Sequence, residues 1–406
     1  MEQEILGFDL GGGRMSLNSI PSSERIHIGF FGRRNAGKSS LINAVTGQKL
    51  SIVSDVLGTT TDPVFKSMEI LPLGPVVIID TPGIDDQGEL GALRVKRAYD
   101  VLNRCNMAVV VVDCNIGITS YEEKLIEILK EKEIPYIVCF NKDDHKEYKT
   151  SSINEIAVSS QNGHNIKELR QKLATLVENK PEKYIIAHKL RQGDIVVLVM
   201  PIDEAAPKGR IILPQQQTLR EVLDSKAVAI CVQPSELDGV IKQFGQKIRV
   251  VITDSQAFAE VSKIVPDEIY LTSFSILMMN YKGELSVAAN NANVISLLKS
   301  GDKVLIAEGC THHKQCNDIG TVKLPTLIRK TCGCHVEFDF TSGYEFPENL
   351  SQYKLIVQCG GCMLSQKEVM NRIESASIAG VPITNYGVAL AYMNGILERA
   401  LEFLKE

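Results

Sequence analysis

Apolar residues along the chain fall into short, nearly unbroken runs separated by stretches in which they recur every three or four positions. Runs at 26–31, 76–79, 137–140, 195–200, 227–232, 248–253 and 268–272 lack polar alternation, so each predicts a strand buried on both faces. Between them, Ile166, Leu169, Leu173, Leu176 and Val177 share one helical face, and helices are predicted near 235–244 and over 255–264. Strands follow at 303–307, 336–340, 354–357 and 381–384, with helices including 367–379 and 388–404. Regular strand–helix alternation predicts an α/β chain of parallel sheets.

A proline-bearing polar linker, Asn179-Lys180-Pro181-Glu182-Lys183, separates the first block from the rest. The predicted domains are 1–178, 185–272 and 273–406. At 406 residues the chain is too long for one core. The middle block carries no ligand motif, which suits an oligomerisation or regulatory module and an expected homodimer.

The strand at 26–31 runs into Gly32-Arg33-Arg34-Asn35-Ala36-Gly37-Lys38-Ser39, a phosphate loop that opens a helix at Ser40. Backbone amides there can ring the phosphates of GTP or GDP. Lys38 can neutralise them, and Ser39 can hold magnesium. Asp80, at the end of the 76–79 strand in Asp80-Thr81-Pro82-Gly83, would support that ion through water, and the Gly83 amide would face the γ-phosphate. Asn141-Lys142-Asp143-Asp144 matches the guanine-reading pattern Asn-Lys-x-Asp, because a carboxylate at Asp144 can accept from both guanine N1 and N2 hydrogens. Thr60, in the polar segment Gly58-Thr59-Thr60-Thr61-Asp62-Pro63, is the expected magnesium-sensing hydroxyl of a switch. Ser159 and Ser160 would close a backbone loop over the base. The fold class is thus α/β: a P-loop GTPase domain followed by two smaller parallel-sheet α/β domains.

Composition narrows the partners. The chain is 44% hydrophobic and 23% charged, with a formal net charge of −5, which opposes a general nucleic-acid binder. No run reaches the roughly 18 to 20 apolar residues that span a bilayer, and the start, Met1-Glu2-Gln3-Glu4, is acidic where a signal peptide is basic. A cytoplasmic protein without a membrane or nucleic-acid partner is expected.

Ten cysteines in such a compartment point to metal or redox chemistry before disulfides. Cys105, Cys114, Cys139 and Cys231 sit in apolar runs and read as packing residues. Cys359-Gly360-Gly361-Cys362 follows one core strand and Glu308-Gly309-Cys310-Thr311-His312 follows another, so both emerge at the same edge of a parallel sheet. Cys310, Cys359 and Cys362 suit a 4Fe-4S cluster with one iron held otherwise, His312 being a candidate for that fourth position. A zinc site and a dithiol redox pair remain open on the same residues. Cys316, Cys332 and Cys334 could also ligate, but Cys332-Gly333-Cys334 is tight for usual ligand spacing.

The loop and switch resemble those of the tRNA-modifying and ribosome-assembly G proteins. That resemblance implies potassium-stimulated hydrolysis, with Asn35 helping to hold the ion. Ile84 follows Gly83, so no glutamine there orients the attacking water. With the middle segment Ala206-Pro207-Lys208-Gly209-Arg210-Ile211-Ile212-Leu213-Pro214-Gln215 and the Cys-Thr-His and Cys-Gly-Gly-Cys motifs, the whole chain resembles the FeFe-hydrogenase maturation GTPase family. The family pattern is Cys-x-His and then His-Cys-x-x-Cys. Here the residue before Cys359 is Gln358, which leaves the fourth position to His312, water or an acidic residue. The resemblance implies a scaffold that carries a 4Fe-4S cluster and receives a transient di-iron subcluster precursor from two radical-SAM maturases. It would pass that precursor to apo FeFe-hydrogenase.

Overall fold

The computed structural model describes residues 20–47, 63–81, 101–144, 148–177, 183–201, 211–309 and 319–405. Its first sheet contains β1 (Ile26–Phe31), β2 (Val64–Ile70), β3 (Gly74–Asp80), β4 (Met107–Asp113), β5 (Tyr136–Asn141) and β6 (Glu155–Ala157). They lie in the order β2-β3-β1-β4-β5-β6. Only β2 runs antiparallel, against β3, and it alternates half-buried and exposed residues, as an edge strand with one covered face does. Central β4 is buried at every position. Its alternate side chains feed two cores: Val109 and Val111 pack with the helices Lys38–Thr46 and Ile166–Leu176, whereas Val110 and Val112 pack with Ser120–Glu131.

The second sheet comprises β7 (Ile195–Val199), β8 (Val228–Val232), β9 (Ile248–Thr253) and β10 (Tyr270–Ser273), in the order β10-β9-β7-β8. The third comprises β11 (Lys303–Ala307), β12 (Glu337–Thr341), β13 (Leu355–Gln358) and β14 (Ile383–Asn385), in the order β12-β11-β13-β14. Both are wholly parallel. The α/β reading therefore holds: a P-loop GTPase sheet is followed by two smaller parallel sheets.

Several details differ from expectation, beginning with β2, the fully buried β4 and the short β6, none of which is among the predicted strands. The helix predicted over 388–404 is two helices, Tyr386–Met393 and Leu397–Lys405, broken where Gly395 takes a left-handed φ of 69°. The segment from Pro201 to Pro214, punctuated by proline and glycine in the sequence, runs directly into a helix at Leu213–Asp224, because Pro214 occupies its first turn, where no intrahelical N–H is needed. Cys231, expected to pack inside, is exposed, because β8 is the outer strand of its sheet and is only partly covered. Cys105 and Cys139 are buried as expected. Among the described residues, no helix is long and apolar enough to cross a membrane.

The second and third sheets share one core. Val197, Val199 and Leu271 from one join Leu305, Ala307, Ile356 and Ile383 from the other in a single cluster. The helix Phe274–Lys282 lies between them, giving Ile276 and Met279 to that cluster and Phe274, Leu277 and Met278 to the core on the far side of the second sheet. The last helix, Leu397–Lys405, returns to the second sheet. Its Phe403 is fully buried, with its ring 5.7 Å from that of Tyr270 on β10.

Removing that ring should leave a cavity in the core on the far side of the second sheet. Phe403→Ala is expected to lower stability by about 3 to 5 kcal/mol, read as a fall in the urea midpoint by circular dichroism. An unchanged midpoint would mean that the last helix does not hold the second sheet.

Candidate functional site

The phosphate loop is shaped by backbone conformation before any side chain acts. Asn35 and Gly37 are left-handed, with φ of 63° and 89°. A Cβ added to Gly37 would lie 2.3 Å from Nδ2 of Asn141, so both conformation and space require glycine there. Gly37 caps the helix that starts at Lys38. Lys38 is buried, and its ammonium donates to the carbonyl oxygens of Gly32 at 2.8 Å and Arg33 at 2.9 Å, which holds it across the mouth of the loop. Ser39 Oγ donates to Asp80 Oδ2 at 3.1 Å, so the two oxygens expected to serve magnesium stand side by side. Burial raises the Asp80 carboxyl above its usual range, opposed by the Lys38 charge and the Ser39 hydrogen bond. Asn35 and Ser40 are exposed beside the loop. Thr60 and Gly83 lie outside the described residues.

The base-reading residues are joined to this loop directly. Asn141 is fully buried at the end of β5; its Nδ2 donates to the carbonyls of Ala36 at 3.1 Å and Gly37 at 3.4 Å, and its Oδ1 accepts from the Ser160 amide at 3.1 Å. One amide side chain thus fastens the phosphate loop to the loop expected over the base. Lys142 is left-handed, and its ammonium meets Asp113 Oδ2 at 2.7 Å. Burial alone would raise the Asp113 carboxyl, but Lys142 and the donors of Asn115 outweigh it and hold that carboxyl low. Asp144 accepts a short hydrogen bond from Ser159 Oγ, which orients the carboxylate while each oxygen keeps a free lone pair.

At the carboxyl edge of the third sheet, β13 ends at Gln358 and the chain turns through Cys359-Gly360-Gly361-Cys362. Cys359 Sγ accepts from two backbone amides, Gly309 at 2.9 Å and Gly361 at 3.4 Å. Gly309 follows the adjacent strand β11 and immediately precedes Cys310. The expected convergence of the two strand ends is therefore present up to that residue; Cys310, His312 and Cys316 lie outside the described residues. Burial pushes the Cys359 thiol up, with the Gly361 and Gly309 amides and the charge of Arg372 pulling the other way. Cys362 is pushed up to about 11, by burial first and then by Cys359. A cation bound there would displace protons.

Cys332 and Cys334 belong to the opposite end. They precede β12, and Cys334 Sγ donates to the carbonyl of Leu298, which precedes β11. A five-residue strand spans about 16 Å, so the sheet separates them from Cys359. Their own sulfurs approach to 3.0 Å.

Two site residues escape motif reading. Glu308 is buried and accepts from Tyr386 OH at 3.1 Å, one residue before Gly309. Lys282 is buried beneath the cysteine loop, donating to the carbonyls of Cys362 at 3.2 Å and Leu364 at 2.8 Å. Lys282 carries no local sequence signal, since a lysine at the end of the helix Phe274–Lys282 reads as a solvated helix end.

Three family models match the chain. One described as 50S ribosome-binding GTPase covers residues 27–142, one described as Hydrogen maturase F dimerization domain covers 185–283, and one described as Hydrogen maturase F tetramerization domain covers 286–403. Among relatives, GTPase Der of Wolinella succinogenes is 33% identical over 171 residues, 38% of this chain and 36% of Der. GTPase Era of Rippkaea orientalis is 25% identical over 292 residues, 64% of this chain and 91% of Era. The tRNA modification GTPase MnmE of Desulfotalea psychrophila is 33% identical over 158 residues, 36% of this chain and 33% of MnmE. The chain thus spans about a third of Der and of MnmE. A solved Aquifex aeolicus Era bound to GDP and aluminium fluoride is 19% identical with a TM-score of 0.34, covering 55% of this chain and 99% of that one. The GTPase model and the Der and Era relatives support GTP hydrolysis by the first module.

Two substitutions test the nucleotide site. Gly37→Ala should weaken GTP binding at least about tenfold, because the new methyl displaces Asn141 and strains the loop; titration with a fluorescent GTP analogue measures it. Asp144→Asn should shift preference from GTP toward xanthosine triphosphate in the same titration, and unchanged GTP affinity would remove Asp144 from base recognition.

Proposed function

Because the chain belongs to the hydrogen maturase F family and carries a GTPase module, we propose that it is a GTP-hydrolysing scaffold of FeFe-hydrogenase maturation, holding a 4Fe-4S cluster on Cys310, Cys359 and Cys362. The observation that carries this reading is the Cys359 sulfur with its two backbone N–H donors. Amides aimed at a sulfur favour thiolate over thiol and are a usual means of tuning iron–sulfur ligands. Since one of those amides is Gly309, a third thiol at Cys310 follows one residue on. The donor chemistry fits a cluster: two thiols in Cys-x-x-Cys, a third that follows Gly309 in sequence, and buried surroundings at Cys359.

When bound, such a cluster supplies an iron whose fourth position is open to exchange. His312 is the expected occupant, and the buried Glu308 is an acidic group close by in sequence. Gln358, standing where the family pattern has histidine, is buried with its Nε2 3.7 Å from Met279 Sδ, so it is engaged in the core. The cargo in this reading is a di-iron unit with carbon monoxide, cyanide and dithiolate ligands, received from two radical-SAM maturases and passed to apo-hydrogenase. GTP hydrolysis governs exchange of those partners, with Asn35 holding potassium beside the phosphates. The half-open edge of the second sheet, with Val228 49% exposed on β8, supports pairing with a second copy.

Anaerobic reconstitution with ferrous iron and sulfide, followed by Mössbauer and electron paramagnetic resonance spectra, tests the cluster. A 4Fe-4S signal is expected, lost in Cys310→Ser, Cys359→Ser or Cys362→Ser with GTP hydrolysis retained, and kept in Cys332→Ser and Cys334→Ser. A protein that retains only zinc would overturn the reading. Hydrolysis should also run faster in potassium than in sodium at matched ionic strength, and Asn35→Ala should equalise the two rates.

A further inference from the structure

The side chain of Lys282 is 1% exposed, at the end of the helix Phe274–Lys282. Besides the carbonyls of Cys362 and Leu364, its ammonium donates to Ser23 Oγ at 3.2 Å and pairs with Glu24 Oε1 at 2.9 Å. Ser23 Oγ in turn donates to the Cys362 carbonyl at 3.0 Å. Glu24 is held from the other side by Tyr281 OH at 2.8 Å and Gln217 Nε2 at 3.3 Å. Ser23 and Glu24 form the short turn Ser22–Glu24 that leads into β1, and the far end of β1 is the phosphate loop. A buried cation is stable only while its partners stay in place. Here two of the four come from the cysteine-bearing side and two from the start of the GTPase module.

A second seam runs parallel to this one. Asn371, on the helix Gln366–Ile378, donates to the Asn103 carbonyl, and the Arg104 guanidinium lies 3.8 Å from the ring centre of Tyr344. Asn106 exchanges two hydrogen bonds of 2.8 Å with the backbone of His27, on β1. The first seam thus meets the GTPase module at the turn before β1, and the second meets it at Asn103 and Arg104, a segment tied to β1 through Asn106.

We propose that Lys282 is a positioning residue through which the guanine nucleotide held by the phosphate loop changes the shape of the Cys359–Cys362 loop. The proposal rests on reading that loop as the cluster's seat. A lysine serving stability alone could be satisfied by carbonyls of its own module. Because Glu24 supplies the counter-charge, any shift of the Ser22–Glu24 turn leaves the ammonium short of a partner, and the Cys362 and Leu364 carbonyls must follow it.

Hydrogen exchange followed by mass spectrometry on the full-length, iron-free protein reads the loop directly, with GDP compared against a non-hydrolysable GTP analogue. In the unmodified protein the amides of 359–365 should differ at least about threefold in exchange rate between the two nucleotides. The pair Ser23→Ala with Glu24→Gln removes the partners on the GTPase side while leaving Lys282 and the residues of the loop unsubstituted. It should abolish that difference while nucleotide affinity and hydrolysis stay unchanged. Lys282→Met should give fast loop exchange in both states, and if it fails to fold the double variant still decides. Equal exchange with both nucleotides in the unmodified protein, or a difference that survives the double variant, overturns the proposal. Failure of iron uptake in reconstitution would remove the cluster reading alone, since this comparison is made without iron.

Discussion

The crossover connection between parallel strands governs where chemistry can stand in this molecule. A chain that leaves a strand, crosses through a helix and returns parallel must turn at the carboxyl edge each time. All three sheets are built this way apart from the β2–β3 pair, so the loops after β1, β3 and β5 crowd together, as do those after β11 and β13. The phosphate loop, Asp80 and Asn141 share one such edge; Gly309 and Cys359 share another. The amino edge of the third sheet, where Cys332 and Cys334 lie, is set apart by the same geometry.

What could be read from the residues follows from how local each feature is. The phosphate loop and the Asn-Lys-x-Asp segment are contiguous because a bound phosphate or base needs several groups within a few ångströms, and so they stand out in a linear chain. Most parallel strands are legible because burial on both faces leaves unbroken apolar runs, but the central β4 and the three-residue β6 are absent from the predicted set although β4 is such a run. β2 is not legible, since one face is exposed and its pattern is diluted by Lys66, Ser67 and Glu69. Cys231 was misjudged because an apolar run does not say whether its strand is central or outermost. Lys282 carries the least signal of all: its partners Ser23 and Cys362 lie 259 and 80 positions away, and nothing local distinguishes it from a solvated helix end.

Asn141 and Lys282 play comparable parts in different modules. Each is a buried polar side chain that holds loop backbone, Asn141 through carbonyls and an amide and Lys282 through two carbonyls beside the side chains of Ser23 and Glu24, and each joins loops that come from distant parts of the chain. Carbonyl partners impose shape without depending on which side chains the loop carries. The loops around them are thereby held by polar groups that must stay satisfied in the interior, with no need for a packed apolar core at the sheet edge.

The return of the helix Leu397–Lys405 to the second sheet has a bearing on how the protein is made. During synthesis β10 and its neighbours emerge long before Phe403, and until that residue arrives Tyr270 lacks the ring that covers it. The GTPase module can complete itself early, since its described cores draw on residues up to Val177. The rest of the chain cannot finish in order of appearance. A ribosome stalled between the second sheet and the last helix would release a completed GTPase module joined to a sheet whose Tyr270 is still uncovered, a species that a carboxyl-terminal deletion would mimic.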